Sequence, residues 1–104
     1  METTNKKETF RDILKSGIPV LVDFYADWCG PCQMMKPVLQ ELHEKFGDKV
    51  RILKIDVDKN PAVAQAFQVQ GIPTLILFKN EEIAWRQSGA MPAKQLEQVL
   101  NQFI

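Results

Sequence analysis

Apolar and polar positions fall along the chain in blocks whose period changes, and each change marks an element. Val20-Leu21-Val22-Asp23-Phe24-Tyr25 is almost continuously apolar and β-branched at its start, which predicts a central strand covered on both faces. Asp23 is its one misfit. Met34, Met35, Val38, Leu39, Leu42 and Phe46 then recur at helical spacing up to Gly47, predicting an amphipathic helix that Pro37 kinks from within. Val50 to Val57 reads as a second strand, and Asn60-Pro61 as the cap and first turn of a short helix through Val63, Ala64 and Phe67. Strand, helix, strand implies a parallel pair joined by a right-handed crossover.

The flanks follow the same logic. Phe10, Ile13 and Leu14 predict a first helix, capped by Thr9 with Asp12 three residues on and stopped at Gly17. Gly71-Ile72-Pro73 precedes a third strand, Thr74 to Phe78, and Lys79-Asn80-Glu81-Glu82 turns the chain into a fourth, Ile83 to Gln87. A last helix opens around Pro92 with Leu96, Val99, Leu100 and Phe103 on one face. Residues 1–8 hold no apolar residue after Met1, so they read as a polar arm or a weak edge strand. The expected architecture is α/β: a mixed sheet of four or five strands with helices on both faces, forming one domain over residues 9–104.

Composition narrows the function classes. With 104 residues, 45% of them hydrophobic, the chain has material for one core. Thirteen basic and thirteen acidic residues cancel, so no broad electrostatic footprint favours nucleic acid or an anionic membrane. The polar start lacks the apolar core of a secretion signal, and no later run is long enough to span a bilayer. A soluble cytoplasmic protein is the expectation.

The two cysteines stand in Trp28-Cys29-Gly30-Pro31-Cys32, between the first strand and the amphipathic helix. A pair so close closes too short a loop to staple a fold, and in a reducing compartment such a pair is more often catalytic or metal-binding. In a strand-to-helix turn Cys29 falls at the helix N-terminus, where unpaired N–H groups and the helix dipole favour a thiolate. Cys32 lies inside the first turn and is expected to be the more covered sulfur. Gly30 permits the turn, and Pro31 presets φ without wasting a donor. The same pair could form half of a zinc site, but such a site needs four ligands and the only histidine, His43, lies well along the helix facing solvent. No Gly-x-Gly-x-x-Gly follows a strand, so neither nicotinamide nor flavin is expected, and no cofactor or metal is assigned.

With this motif after Val22-Asp23-Phe24-Tyr25-Ala26, Gly71-Ile72-Pro73-Thr74 downstream, Pro37 in the helix and Gly89-Ala90 after the last strand, the chain resembles the thioredoxin family. The resemblance runs from about residue 9 to the end. It implies a protein-disulfide reductase working by dithiol–disulfide exchange through Cys29 and Cys32. Its partners would be disulfide-containing substrate proteins and a separate thioredoxin reductase, with the protein itself a monomer. It further implies a cis bond before Pro73, and a docking surface over Trp28, Gly30, Pro31, Gly71, Ile72, Pro73, Gly89 and Ala90. Asp23 would be the proton acceptor for the second thiol, with Lys54 on the neighbouring strand able to pair with it; the alternative is a hydrogen-bonded core acid.

Other readings stay open at this point. The surface could hold a partner without redox chemistry, or the same fold could serve as an oxidase or isomerase with a different reduction potential. Met34 and Met35 read as core fillers and Trp85 as a residue of the surface or sheet edge. Glu81 stands where the family often has a turn glycine, which argues against a tight two-residue hairpin. Gln33 replaces a frequent Lys or Arg.

Overall fold

The computed structural model describes Thr9 to Ile104 in full and Glu2–Thr3 by their backbone. Its elements are β1 (Glu2–Thr3), α1 (Phe10–Leu14), β2 (Val20–Tyr25), α2 (Gly30–Phe46), β3 (Arg51–Asp56), α3 (Pro61–Ala66), β4 (Thr74–Lys79), β5 (Glu82–Ser88) and α4 (Ala93–Asn101). The strands form one mixed sheet in the order β1-β3-β2-β4-β5, with β2 parallel to β3 and antiparallel to β4. The segment read as an arm or edge strand thus supplies a two-residue parallel edge, Glu2 opposite Leu53 and Thr3 opposite Lys54. The remainder of that segment, Met1 and residues 4–8, lies outside the described residues.

Alternation along the strands sorts the core into two layers. Leu21, Ile52, Leu75 and Leu77 pack with Met35, Leu39, Leu42 and Phe46 of α2 and Leu96 and Leu100 of α4. Val20, Val22, Phe24, Leu53, Ile55, Ile76 and Phe78 face the other way, against Ile13 and Leu14 of α1 and Val63 of α3. Edge-to-face contacts of Phe10 with Phe67 and Phe78, centroids 5.7 and 5.6 Å apart, tie α1 to this second layer. β2, buried on both faces from Val20 to Phe24, is the spine that the apolar run predicts.

The helix ends obey the local rules unevenly. α1 carries the expected capping box: the Asp12 N–H donates to the Thr9 hydroxyl, and the Thr9 N–H donates to the Asp12 carboxylate. Asn60 takes the cap position of α3, but its side chain makes no cap bond there. Its amide instead donates to the Asp56 carbonyl at 3.0 Å. At the other end of α3, Gln68 adopts φ 55°, and the bonds Gln68 N–H to Gln65 O and Val69 N–H to Ala64 O close a Schellman motif. Arg86 of β5 donates to the carbonyls of Phe67 and Gln68, holding that end to the sheet.

The hairpin corrects the sequence reading. Lys79 pairs with Glu82, so the loop is only Asn80-Glu81, and both residues take positive φ, 53° and 69°. A tight primed turn forms without the glycine, because its twist matches that of the strands and the pairing overrides the local preference of Glu81. One residue later the ladder slips, leaving Ala84 between Ile83 and Trp85 as a bulge. Trp85 on this edge strand is half-buried against the α2–α4 layer.

Candidate functional site

Cys29 is the N-cap of α2 and Cys32 its third residue, an arrangement fixed by the strand ending at Tyr25 and by Pro31 in the first turn. The two form a disulfide, with Cα atoms 5.3 Å apart. The Cys32 backbone N–H donates to the Cys29 sulfur at 3.2 Å. A helix-terminal amide therefore points at the sulfur that would carry negative charge after reduction. Burial does not separate the two sulfurs as the sequence suggests: both residues are 4% exposed, because both belong to one cluster with Ala26 that Tyr25, Val57 and Ile72 cover. What distinguishes them is the amide bond and the position at the cap.

A rim of loops surrounds the pair. The Ile72–Pro73 bond is cis, and the Ile72 carbonyl oxygen lies 3.7 Å from the Cys29 sulfur. Gly71 is exposed, Ile72 half-buried and Pro73 buried. The Gly89 N–H donates to the Pro73 carbonyl at 2.8 Å, and its φ of 97° turns the chain away from β5 so that Ala90 stays on the surface beside this loop. Gly30 and Pro31 are exposed on the near side. Trp28 is 72% exposed, with its indole N–H donating to Asp58 at 2.8 Å, so a large apolar ring is held open to solvent by one polar tether.

Beneath the rim, Asp23 shares the α2-facing side of β2 with Leu21 and Tyr25. It is 1% exposed, and its Oδ1 has no hydrogen-bond partner. Burial pushes its carboxyl up from 3.8 to about 6, with the Lys54 charge opposing in part. Lys54 stands opposite Asp23 in register, yet no ion pair joins them among the described residues. Its ammonium lies over the Tyr25 ring, 4.6 Å from the centroid.

The comparisons agree with this geometry. The family model described as Thioredoxin matches residues 1–102. The chain belongs to the thioredoxin family. It is 49% identical over 92 residues to the thioredoxin of Haemophilus influenzae, covering 88% of this chain and 86% of that protein. It is 52% identical over 97 residues to thioredoxin Y, chloroplastic, of Oryza sativa subsp. japonica, covering 89% of this chain and spanning 58% of that longer relative. Among solved structures, a mutant thioredoxin from Halobacterium salinarum superposes with a TM-score of 0.87 at 38% identity, over 97% of this chain and 88% of that one.

The thioredoxin pattern in the sequence locates the cysteines, Trp28, the Gly71–Pro73 loop and Gly89-Ala90, and the fold brings all of them to the one end of the sheet where α2 begins. Three features escape it. Asp58 tethers Trp28 across 30 positions of sequence, a contact that no local spacing announces. Tyr25 packs on the cysteine cluster and carries Lys54, so the expected Asp23–Lys54 pair is replaced by a cation over a ring. Met34 is 68% exposed while Met35 is buried, which corrects the reading of both as core fillers. Neighbours on a helix point about 100° apart, so only one of two can face the core.

Proposed function

We propose that this protein reduces disulfides of other proteins through Cys29 and Cys32 and is itself recycled by a separate thioredoxin reductase. The observation that carries the reading is the disulfide across the first turn of α2, with a helix amide on the Cys29 sulfur. In the reduced protein the Cys29 thiolate attacks a substrate disulfide, forming a mixed disulfide and releasing one substrate sulfur as a thiolate that takes a proton from solvent. Cys32 then gives its proton to the Asp23 carboxylate and attacks the Cys29 sulfur. The mixed disulfide breaks, the second substrate sulfur leaves, and the Cys29–Cys32 bond forms. Substrate has gained two electrons and two protons, and the reductase returns two electrons to the pair.

Asp23 suits the proton-accepting role because its carboxyl, pushed up to about 6, exchanges a proton close to neutral pH. Lys54 limits that rise. The docking surface is Trp28, Gly30, Pro31, Ile72, Gly89 and Ala90, supported by Gly71 and the buried Pro73, and a substrate lies on it as an extended segment bonded to the backbone of Ile72. The working form is a monomer in a reducing compartment, the cytoplasm by this reading; no helix among the described residues is long and apolar enough to cross a membrane. Nucleic acid and membranes are not partners in this reading. The test is reduction of a model protein disulfide with and without a thioredoxin reductase and its electron donor. Catalytic turnover only when both are present is expected; partner binding that survives replacement of both cysteines by serine, with no turnover, would replace it with a binding role.

A further inference from the structure

Tyr25 has no role in the exchange just described, yet it touches both halves of the site. Its half-buried ring packs against the cluster of Ala26, Cys29 and Cys32, and the Lys54 ammonium rests on it at 4.6 Å. Lys54 faces an unpartnered buried carboxylate oxygen from the neighbouring strand and still does not bond it. A ring holds a cation only weakly. Seating the ammonium on the buried carboxylate would strip its water, and that cost is what lets a weakly holding ring compete with a direct bond to Asp23. Freed from the ring, the ammonium should by the same cost move out toward solvent.

We propose that Tyr25 is a positioning residue: its ring fixes the Lys54 ammonium beside Asp23 and so sets how readily that carboxylate takes a proton. The inference rests on the acceptor role proposed for Asp23 only where it bears on rate. Besides Lys54, the described charged groups near the ring are Asp23 and Asp27 on its own stretch and Asp56 on β3; burial first, and then these three carboxylates, disfavour a phenolate at Tyr25. One Asp56 oxygen accepts from the N–H groups of Asp58 and Lys59, at 2.9 and 3.4 Å, and Asp58 is held by Trp28. The facing β4 residues, Thr74 and Leu75, bring no charge. Lys54 is thus the described cation that acts on Asp23.

The test is the Asp23 carboxyl titration by carbon NMR in the oxidised protein, alongside the pH profile for resolution of the mixed disulfide in single-turnover reduction. Tyr25→Leu should raise the Asp23 midpoint by roughly half a pH unit or more, and Tyr25→Phe, which keeps the ring, should leave it in place. Lys54→Met should raise it too, and adding Tyr25→Leu to Lys54→Met should then change nothing. In the unaltered protein, ring currents should shift the Lys54 ε-methylene protons upfield, a readout that survives even if Tyr25→Leu does not fold. An unmoved midpoint in Tyr25→Leu, an equal rise in Tyr25→Phe, a rise that persists without Lys54, or unshifted ε-protons would each overturn the proposal. A moved midpoint with an unmoved rate profile would uphold Tyr25 as positioner and reject Asp23 as acceptor.

Discussion

Replacing Asp23 by alanine should stabilise the protein at neutral pH and not in acid. The carboxyl is 1% exposed and its proton equilibrium is displaced from 3.8 to about 6. The folded value lies above the unfolded one, so the folded state binds a proton more tightly than the unfolded chain. Its charged form therefore weakens the fold progressively as pH rises past about 4, fully so above about 6. At about 1.4 kcal/mol per pH unit of displacement, the full penalty is about 3 kcal/mol. Alanine removes that penalty but leaves a void of about methyl size, which costs about 1 kcal/mol. The net gain near pH 7.5 is then about 2 kcal/mol, falling to zero at about pH 4.5 and turning into a loss of about 0.5 kcal/mol at pH 4. Urea unfolding of the oxidised protein and its variant at both pH values measures each point, since midpoints shift while the slopes should match. A variant less stable at pH 7.5, or a difference that does not change with pH, would refute the displaced carboxyl as the cause.

Further substitutions probe the rest of the scheme. Cys32→Ser should still attack and should accumulate a covalent mixed disulfide with substrate, while Cys29→Ser should be inert; trapping by the latter instead would reverse the assignment of the attacking sulfur. Glu81→Gly should stabilise by about 0.5–1 kcal/mol, because φ 69° suits glycine and the loop is a primed turn; a Tm that falls would show that the turn favours the glutamate. Gln68→Gly should act likewise at the end of α3, by a similar amount, and an unchanged Tm would mean that the two Arg86 bonds alone hold that corner.

Much of this was written in local pattern. β2, α2 and the cysteine turn follow from one apolar run, one helical stripe and a proline placed where its missing N–H costs nothing. The capping box at Thr9 is readable because its partners are three residues apart. β1 is not readable in this way: Glu2 and Thr3 pair with β3 through backbone groups, about which the side-chain pattern is silent. The positive φ at Asn80, Glu81 and Gln68 is imposed by strand pairing and by a helix end, against the preference of glutamate and glutamine. Trp28–Asp58 and Tyr25–Lys54 join elements distant in sequence, and where a flexible side chain ends depends on what the fold sets within its reach.

These departures from local rules differ in size, and the size separates architecture from chemistry. Glu81 and Gln68 each cost about 1 kcal/mol, sit on the surface and disturb only their own turn. Asp23 costs about 3 kcal/mol, a substantial part of the roughly 5–15 kcal/mol by which a domain of this kind is stable, and no hydrogen bond to Oδ1 offsets it. A hairpin loop or a helix end can absorb the first kind of misfit because it lies on the surface and regular pairing or helix continues beside it. A buried carboxylate in the middle of β2 has no such relief, and the only described cation acting on it rests on a neighbouring ring. Such a group is tuned by burial and by one charge that a ring holds nearby, a combination that suits the proton-accepting role proposed for it better than a purely structural one.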